Sequence, residues 1–256
     1  MLGAIVGDVA GSTREFRPVT GNGFETLTAE STYTDETVLT VAVADCLLHG
    51  LPYAGTLRAY TLANPGRAYA TRFTKWIEDP ERALPTSYSN GAAGRVSPVG
   101  WAFTTLEETL AEATRSALPT HGHPDGIAGA QAVAASIFMA RNGSSRDAIR
   151  EYIEATFGYD LRRAPAECVG GGLFEAAELS VPEAIICFLS SADVESAIRA
   201  AILLCADADS QAAIAGSIAE AFYYGVPAPL AQPCVALLPA GFRSVLEAFR
   251  AQYRLP

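Results

Sequence analysis

Two short clusters of oxygen-bearing side chains carry the first chemical suggestion in this chain. One is Thr34-Asp35-Glu36, within YTDET, and the other is Asp207-x-Asp209-Ser210, within DADS. Each stands directly before an apolar run, residues 37–49 in the first case and 210–224 in the second. A carboxylate at a helix start is favoured by the free backbone amides and the helix dipole. For either cluster alone, simple N-capping is therefore the plainer reading. Two such clusters on two core helices change the balance, because carboxylates at buried helix ends carry a desolvation cost and repel one another if the ends converge. A divalent cation would offset both. Asp, Glu, Thr and Ser oxygens suit hard Mg²⁺, Mn²⁺ or Ca²⁺ rather than zinc. A two-metal arrangement would position substrate hydroxyls and activate water.

Three further segments hold candidate residues. GAIVGDVAGSTRE contributes Asp8 and Glu15 after an apolar stretch; packing plus a surface acid explains them equally well. SNGAAGRVSPVG has small residues that let backbone amides approach an anion, and Arg95 to balance phosphate charge. A plain surface loop has the same composition. PTHGHPDG contains His121 and His123, two of only three histidines, so either a pocket imidazole or an exposed turn fits.

Those residues need elements to hold them. Leu2–Ala10 reads as a helix whose glycines, at positions 3, 7 and 11, share one face and permit close backbone approach. Apolar runs and end signals place further helices at 37–49, 54–64, 66–78, 105–117, 127–142, 146–157, 182–190, 194–205, 210–224 and 241–253. Pro80–Pro98 and Pro119–Gly126 read as loops. The stretch 164–180, with Gly170-Gly171-Gly172, is left open between helix and mobile loop. No strand pattern of useful length occurs, and no linker or repeat divides residues 1–256, so one all-α domain is expected.

Composition narrows the chemistry. Half the residues are hydrophobic, enough for a large core, and the net charge is −10 with no basic run, which argues against strong non-specific nucleic-acid binding. Lys75 is the only lysine, so Schiff-base and P-loop chemistry are excluded in practice. The five cysteines are widely spaced without C-x-x-C and read as buried free thiols. No basic leader and no 18-residue apolar window occur, so no membrane span and a cytoplasmic location are expected.

Taken in order, GAIVGDVAGSTRE, YTDETVLTVAVADCLL, SNGAAGRVSPVGWAF, THGHPDGIAGAQAVA and DADSQAAIAGSIAEAFYYG resemble the ADP-ribosylglycohydrolase family, in its bacterial, dinitrogenase-reductase-activating glycohydrolase-like branch. The resemblance implies a single-domain orthogonal helical bundle with a central binuclear cleft for two Mg²⁺ or Mn²⁺ ions. It implies hydrolysis of the N- or O-glycosidic bond joining ADP-ribose to a protein, nucleic-acid or small acceptor, with the ADP-ribosylated acceptor or free ADP-ribose as partner. The metal ligands would be Thr34, Asp35, Glu36, Asp207, Asp209 and Ser210. Asp35, Glu36 and Glu15 would be catalytic, and Asn90, Gly91, Arg95, His121 and Asp8 would contact substrate. The chain departs from the family pattern in four places. Glu36 stands for a second aspartate, Cys205-Ala206 for two glycines, and Ser210 for threonine, while Gly94 occupies a position expected to carry a larger residue. The alternative function is an ADP-ribose-binding module whose altered metal site no longer supports turnover. A metal-dependent phosphohydrolase fits less well, since the chain has no His-Asp dipeptide and no D-D-x-x-D run.

Overall fold

A computed structural model of the chain describes residues 1–14, 17, 19–21, 23–79, 86–170 and 175–255. Among these, fourteen α-helices and one short 3-10 turn form an all-α bundle with no strand. None of the helices is long and apolar enough to cross a membrane.

Two helices with almost no polar face form its centre, as expected of helices that water does not reach. They are α2 (Asp35–His49) and α12 (Ala208–Phe222). Residues 208–221 of α12 are buried on every side. Around α12 pack α1 (Leu2–Gly11), α8 (Pro124–Arg141), α10 (Ala177–Leu189) and α11 (Val194–Ile202). The glycine face of α1 is what brings it so close. A Cβ at Gly3 would lie 2.1 Å from the Gly216 carbonyl oxygen, one at Gly7 2.1 Å from that of Ala212, and one at Gly11 2.4 Å from that of Ala208. The two backbones touch, so the end of α1 is pinned against the start of α12.

Local end signals match several boundaries. Gly50 and Gly158 end α2 and α9 (Arg146–Phe157) in left-handed conformation, and Ser145 caps α9. A Thr105–Glu108 capping box starts α7 (Leu106–Ala117). The cysteines are free and, apart from the half-buried Cys205, buried.

Elsewhere the expected boundaries are corrected. The segment read as one loop to Pro98 contains two short buried helices, α5 (Gly91–Gly94) and α6 (Ser97–Ala102), packed on α8. Small residues that resemble loop composition are there because the backbones are close; a Cβ at Gly100 would meet Ile137 at 2.6 Å. Residues 80–85 of that segment lie outside the described residues. Helix α10 starts at Ala177, with Pro182 inside it rather than at its start. A helix not anticipated, α13 (Ala228–Leu237), carries Pro233 in its interior, and its prolines hid it. Residues 66–70 precede α4 (Thr71–Glu78) in irregular conformation, with Gly66 and Ala68 at positive φ. Gly171 and Gly172 lie outside the described residues.

Candidate functional site

The two oxygen-rich clusters meet. Asp35 and Glu36, in the first turn of α2, and Asp207, Asp209 and Ser210, at the start of α12, line one cavity of about 150 Å³. The opposite wall carries Asn90, Gly91, Arg95 and His121. The fold therefore gathers nine of the sequence-named residues around a single space.

Thr34 is the N-cap of α2, on the acidic side, and accepts from the Glu36 amide at 3.4 Å. Its own hydroxyl donates to Asp8 Oδ1 at 2.5 Å. Asp8, expected to contact substrate, sits behind this helix start. It is fully buried beneath α2, and Oδ2 accepts the Thr34 amide at 2.9 Å, the Thr37 amide at 3.1 Å and the Thr37 hydroxyl. Asp8 does not line the cavity; it organises the helix start that presents Asp35 and Glu36. A carboxylate carried by a helix inside the core needs donors, and the free amides of a neighbouring helix end supply them. Burial, reinforced by Asp209, raises its pKa to about 7 against the opposing effect of those hydrogen bonds. Glu15 lies outside the described residues.

Within the cavity the carboxylates strain against one another. Burial, and then repulsion from Asp35, Asp209 and Asp207, hold Glu36 well above the usual carboxylate range. Ser210 Oγ opposes this by donating to Glu36 Oε1 at 2.9 Å. Glu36 Oε2 is buried with no hydrogen-bond partner among the described residues. Asp207 is also raised, by burial and then by Asp209, while the Asn90 amide nitrogen donates to its Oδ2 at 2.8 Å and pulls the other way. Asp209 Oδ1 accepts from the Ser210 amide at 2.8 Å.

No three His, Cys, Asp or Glu side chains among the described residues stand in a ready-made ligand set. The donor chemistry nonetheless fits a hard divalent cation. The carboxylates and the Ser210 hydroxyl at the two helix starts are all oxygen donors, and the buried Glu36 Oε2 has no hydrogen-bond donor among the described residues. Asp35, Glu36, Asp207, Asp209 and Ser210 are the residues placed to hold one, with Thr34 adjoining.

The opposite wall is built by three extended segments. The Ser87 amide donates to the Thr120 carbonyl, the Asn90 amide to that of Glu175, and the Ala177 amide to that of Tyr88. These contacts set His121 and Asn90 on the cavity surface. Arg95 is 1% exposed, and its Nη2 donates to the Ser116 carbonyl at 3.2 Å and to Thr120 Oγ1 at 2.7 Å. Burial lowers its pKa to about 10 against the pull of Glu36 and Asp35, and Arg95 stays cationic at neutral pH. Thr120 Oγ1 lies 2.7 Å from His121 Nδ1, and Nε2 lies 3.1 Å from Ser89 Oγ. Burial first, and then Arg95, hold His121 well below its ordinary pKa, so the imidazole is neutral. Arg95 can only donate to Thr120, whose hydroxyl has both His121 Nδ1 and the Ala117 carbonyl, at 3.5 Å, as acceptors for its own proton. A Cβ at Gly91 would lie 3.4 Å from His121 Nε2, so the glycine keeps the imidazole edge open.

Sequence reasoning missed several contributors. Arg72 and Phe73 of α4 reach the cavity rim, and Thr120 and Ser89 orient the histidine. Arg67 fixes the approach to the first cluster. Its carbonyl accepts the Asp35 amide at 2.7 Å, and its guanidinium lies 3.8 Å from the centre of the Tyr33 ring. Only tertiary placement distinguishes these residues from other polar side chains. Cys205, which stands where a glycine was expected, adopts φ +57°, a left-handed backbone that glycine takes without strain.

Comparison with known proteins follows the same lines. A family model described as ADP-ribosylglycohydrolase matches residues 1–254. Among solved structures, one titled "ADP-ribosylglycohydrolase-related protein complex" is similar at 25% identity and a TM-score of 0.68, over 99% of this chain and 96% of that one. No curated protein matches.

Proposed function

Because this chain belongs to the ADP-ribosylglycohydrolase family, we propose that its cleft hydrolyses the N- or O-glycosidic bond of ADP-ribose attached to a protein, nucleic-acid or small acceptor. The observation that carries this reading is the single cavity in which Asp35, Glu36, Asp207, Asp209 and Ser210 face Asn90, Arg95 and His121. Thr34, Asp35, Glu36, Asp207, Asp209 and Ser210 would hold two Mg²⁺ or Mn²⁺ ions. Such ions, when bound, supply Lewis-acid stabilisation and anchor the ribose hydroxyls.

The chain's own groups supply the rest. Asp35 or Glu36 acts as general base toward the attacking water, and the clustered carboxylates stabilise the positive charge that develops at the anomeric carbon. Arg95 brings a buried cation, and His121 a neutral imidazole held by Thr120 and Ser89, to the side where a diphosphate and ribose would lie. Asn90 orients Asp207 through their hydrogen bond. Glu15 keeps the catalytic role that the family resemblance implies.

The test is release of ADP-ribose from arginine-, serine- and nucleic-acid-linked substrates and from O-acetyl-ADP-ribose, with Mg²⁺ or Mn²⁺ present. Release that is lost on chelation and in Asp209→Ala is the expected result. Absence of release from all of them, with metal bound, overturns it. One observation favours the second reading, an ADP-ribose-binding module without turnover: Ser210 and Asn90 already occupy Glu36 and Asp207 with protein hydrogen bonds. Calorimetry that records ADP-ribose binding while hydrolysis stays undetectable selects it.

A further inference from the structure

Three of the unusual positions of this chain touch one another. The Glu36 carboxylate receives the Ser210 hydroxyl on one oxygen. On its other side it lies against the bare Cα of Gly94, at the end of α5. A Cβ built there would stand 2.1 Å from Glu36 Oε2, 2.5 Å from Cδ and 2.8 Å from Oε1. Gly94 is helical and not at positive φ, so backbone conformation places no demand for glycine at this position. Space is the remaining reason. A glutamate reaches one methylene further than an aspartate, and the missing side chain at 94 leaves the volume in which its head group sits.

We propose that Gly94 is a positioning residue: it forms the socket that allows a glutamate to serve at position 36, and through Glu36 it sets the affinity of the cleft for divalent cations. This rests on the reading of the cleft as a cation site. The clash from an added methyl falls on the far end of a flexible side chain and not on backbone. The fold therefore survives Gly94→Ala, and the carboxylate moves. With Glu36→Asp in the same chain, the methyl fills the volume the shorter side chain vacates, and the carboxylate no longer meets it.

The experiment is a double-mutant cycle read by Mn²⁺ binding, using electron paramagnetic resonance and calorimetry. Gly94→Ala weakens Mn²⁺ by at least about tenfold, the scale on which loss of a ligand's support acts. Glu36→Asp alone also weakens it, because the shortened arm leaves Ser210 and the socket empty. The double variant binds more tightly than Gly94→Ala, since contacting residues couple. Unchanged affinity in Gly94→Ala, or additive losses in the double variant, overturns the proposal. A crystal structure of metal-free Gly94→Ala tests the steric half without any cation. Glu36 Oε1 beyond hydrogen-bonding distance of Ser210 Oγ is the expected result, and an unmoved carboxylate refutes it. A wild-type protein that binds neither Mn²⁺ nor Mg²⁺ overturns the cation reading and the affinity claim together, while that structure still decides the socket.

Discussion

Gly11→Ala should damage the cleft from outside it. Gly11 closes α1, and a Cβ there would lie 2.4 Å from both the Ala208 carbonyl oxygen and the Asp209 Cα. Ordinary contact begins at 3.4 Å, so the end of α1 and the start of α12 must separate by about 1 Å, since packed backbone has no slack to absorb the difference. The displaced backbone is the one that carries Asp207, Asp209 and Ser210. Overpacking of this kind costs about 1–3 kcal/mol, offset by about 1 kcal/mol of better helix propensity for alanine. A displacement of that size at reacting groups costs about a hundredfold in rate. Gly3→Ala is the control: its Cβ would meet the Gly216 carbonyl at 2.1 Å, on the same helix pair but about two turns of α12 removed from the acidic cluster. Both variants should lose stability in urea melts. At a temperature where both stay folded, Gly11→Ala alone should lose ADP-ribose release and Mn²⁺ affinity. Full activity in Gly11→Ala, or equal activity loss in Gly3→Ala, would show that the α1–α12 contact does not set the geometry of the cluster.

Glu183→Gln should stabilise the protein near pH 8. Burial raises the pKa of Glu183, its contact with Arg163 is a loose 3.8 Å, and the Gln211 Oε1 beside it is a buried orphan that a new amide could reach. A raised carboxylate contributes its stability below the unfolded-state pKa and loses it as pH rises through the folded-state value, so the gain of about 1 kcal/mol appears at high pH and vanishes in acid. Urea melts across pH 4 to 8 check it, and a pH-independent difference would sink it. Relief of the left-handed strain at Cys205 should make Cys205→Gly more stable by about 1 kcal/mol, near 2–4 °C in Tm. A fall in Tm would mean that the thiol contact with the Val19 carbonyl, at 3.3 Å, outweighs the strain. Titration of metal-free protein with Mn²⁺ should raise stability by about 2.7 kcal/mol at a hundred times Kd, with the shift abolished in Asp209→Asn; an identical shift in that variant would place the cation elsewhere.

Much of the frame was legible in the order of residues alone because its causes are local. Apolar runs mark α2 and α12 as core helices, Ser145 and Gly158 delimit α9, and the four-residue glycine spacing of α1 announces a close backbone contact. The residue types at 34–36 and 207–210 announced oxygen-donor chemistry for the same reason: composition and spacing are properties of a short segment. Tertiary structure decided what depends on partners distant in the chain. It turned a loop-like stretch into α5 and α6 through burial against α8, and it drew α13 across its own prolines. It set the Asp8 carboxylate beneath α2, where the amides of Thr34 and Thr37 donate to it. It also set Gly94 against Glu36, 58 positions apart. A steric match of that kind exists only once the two segments share a space, so no pattern within either of them records it.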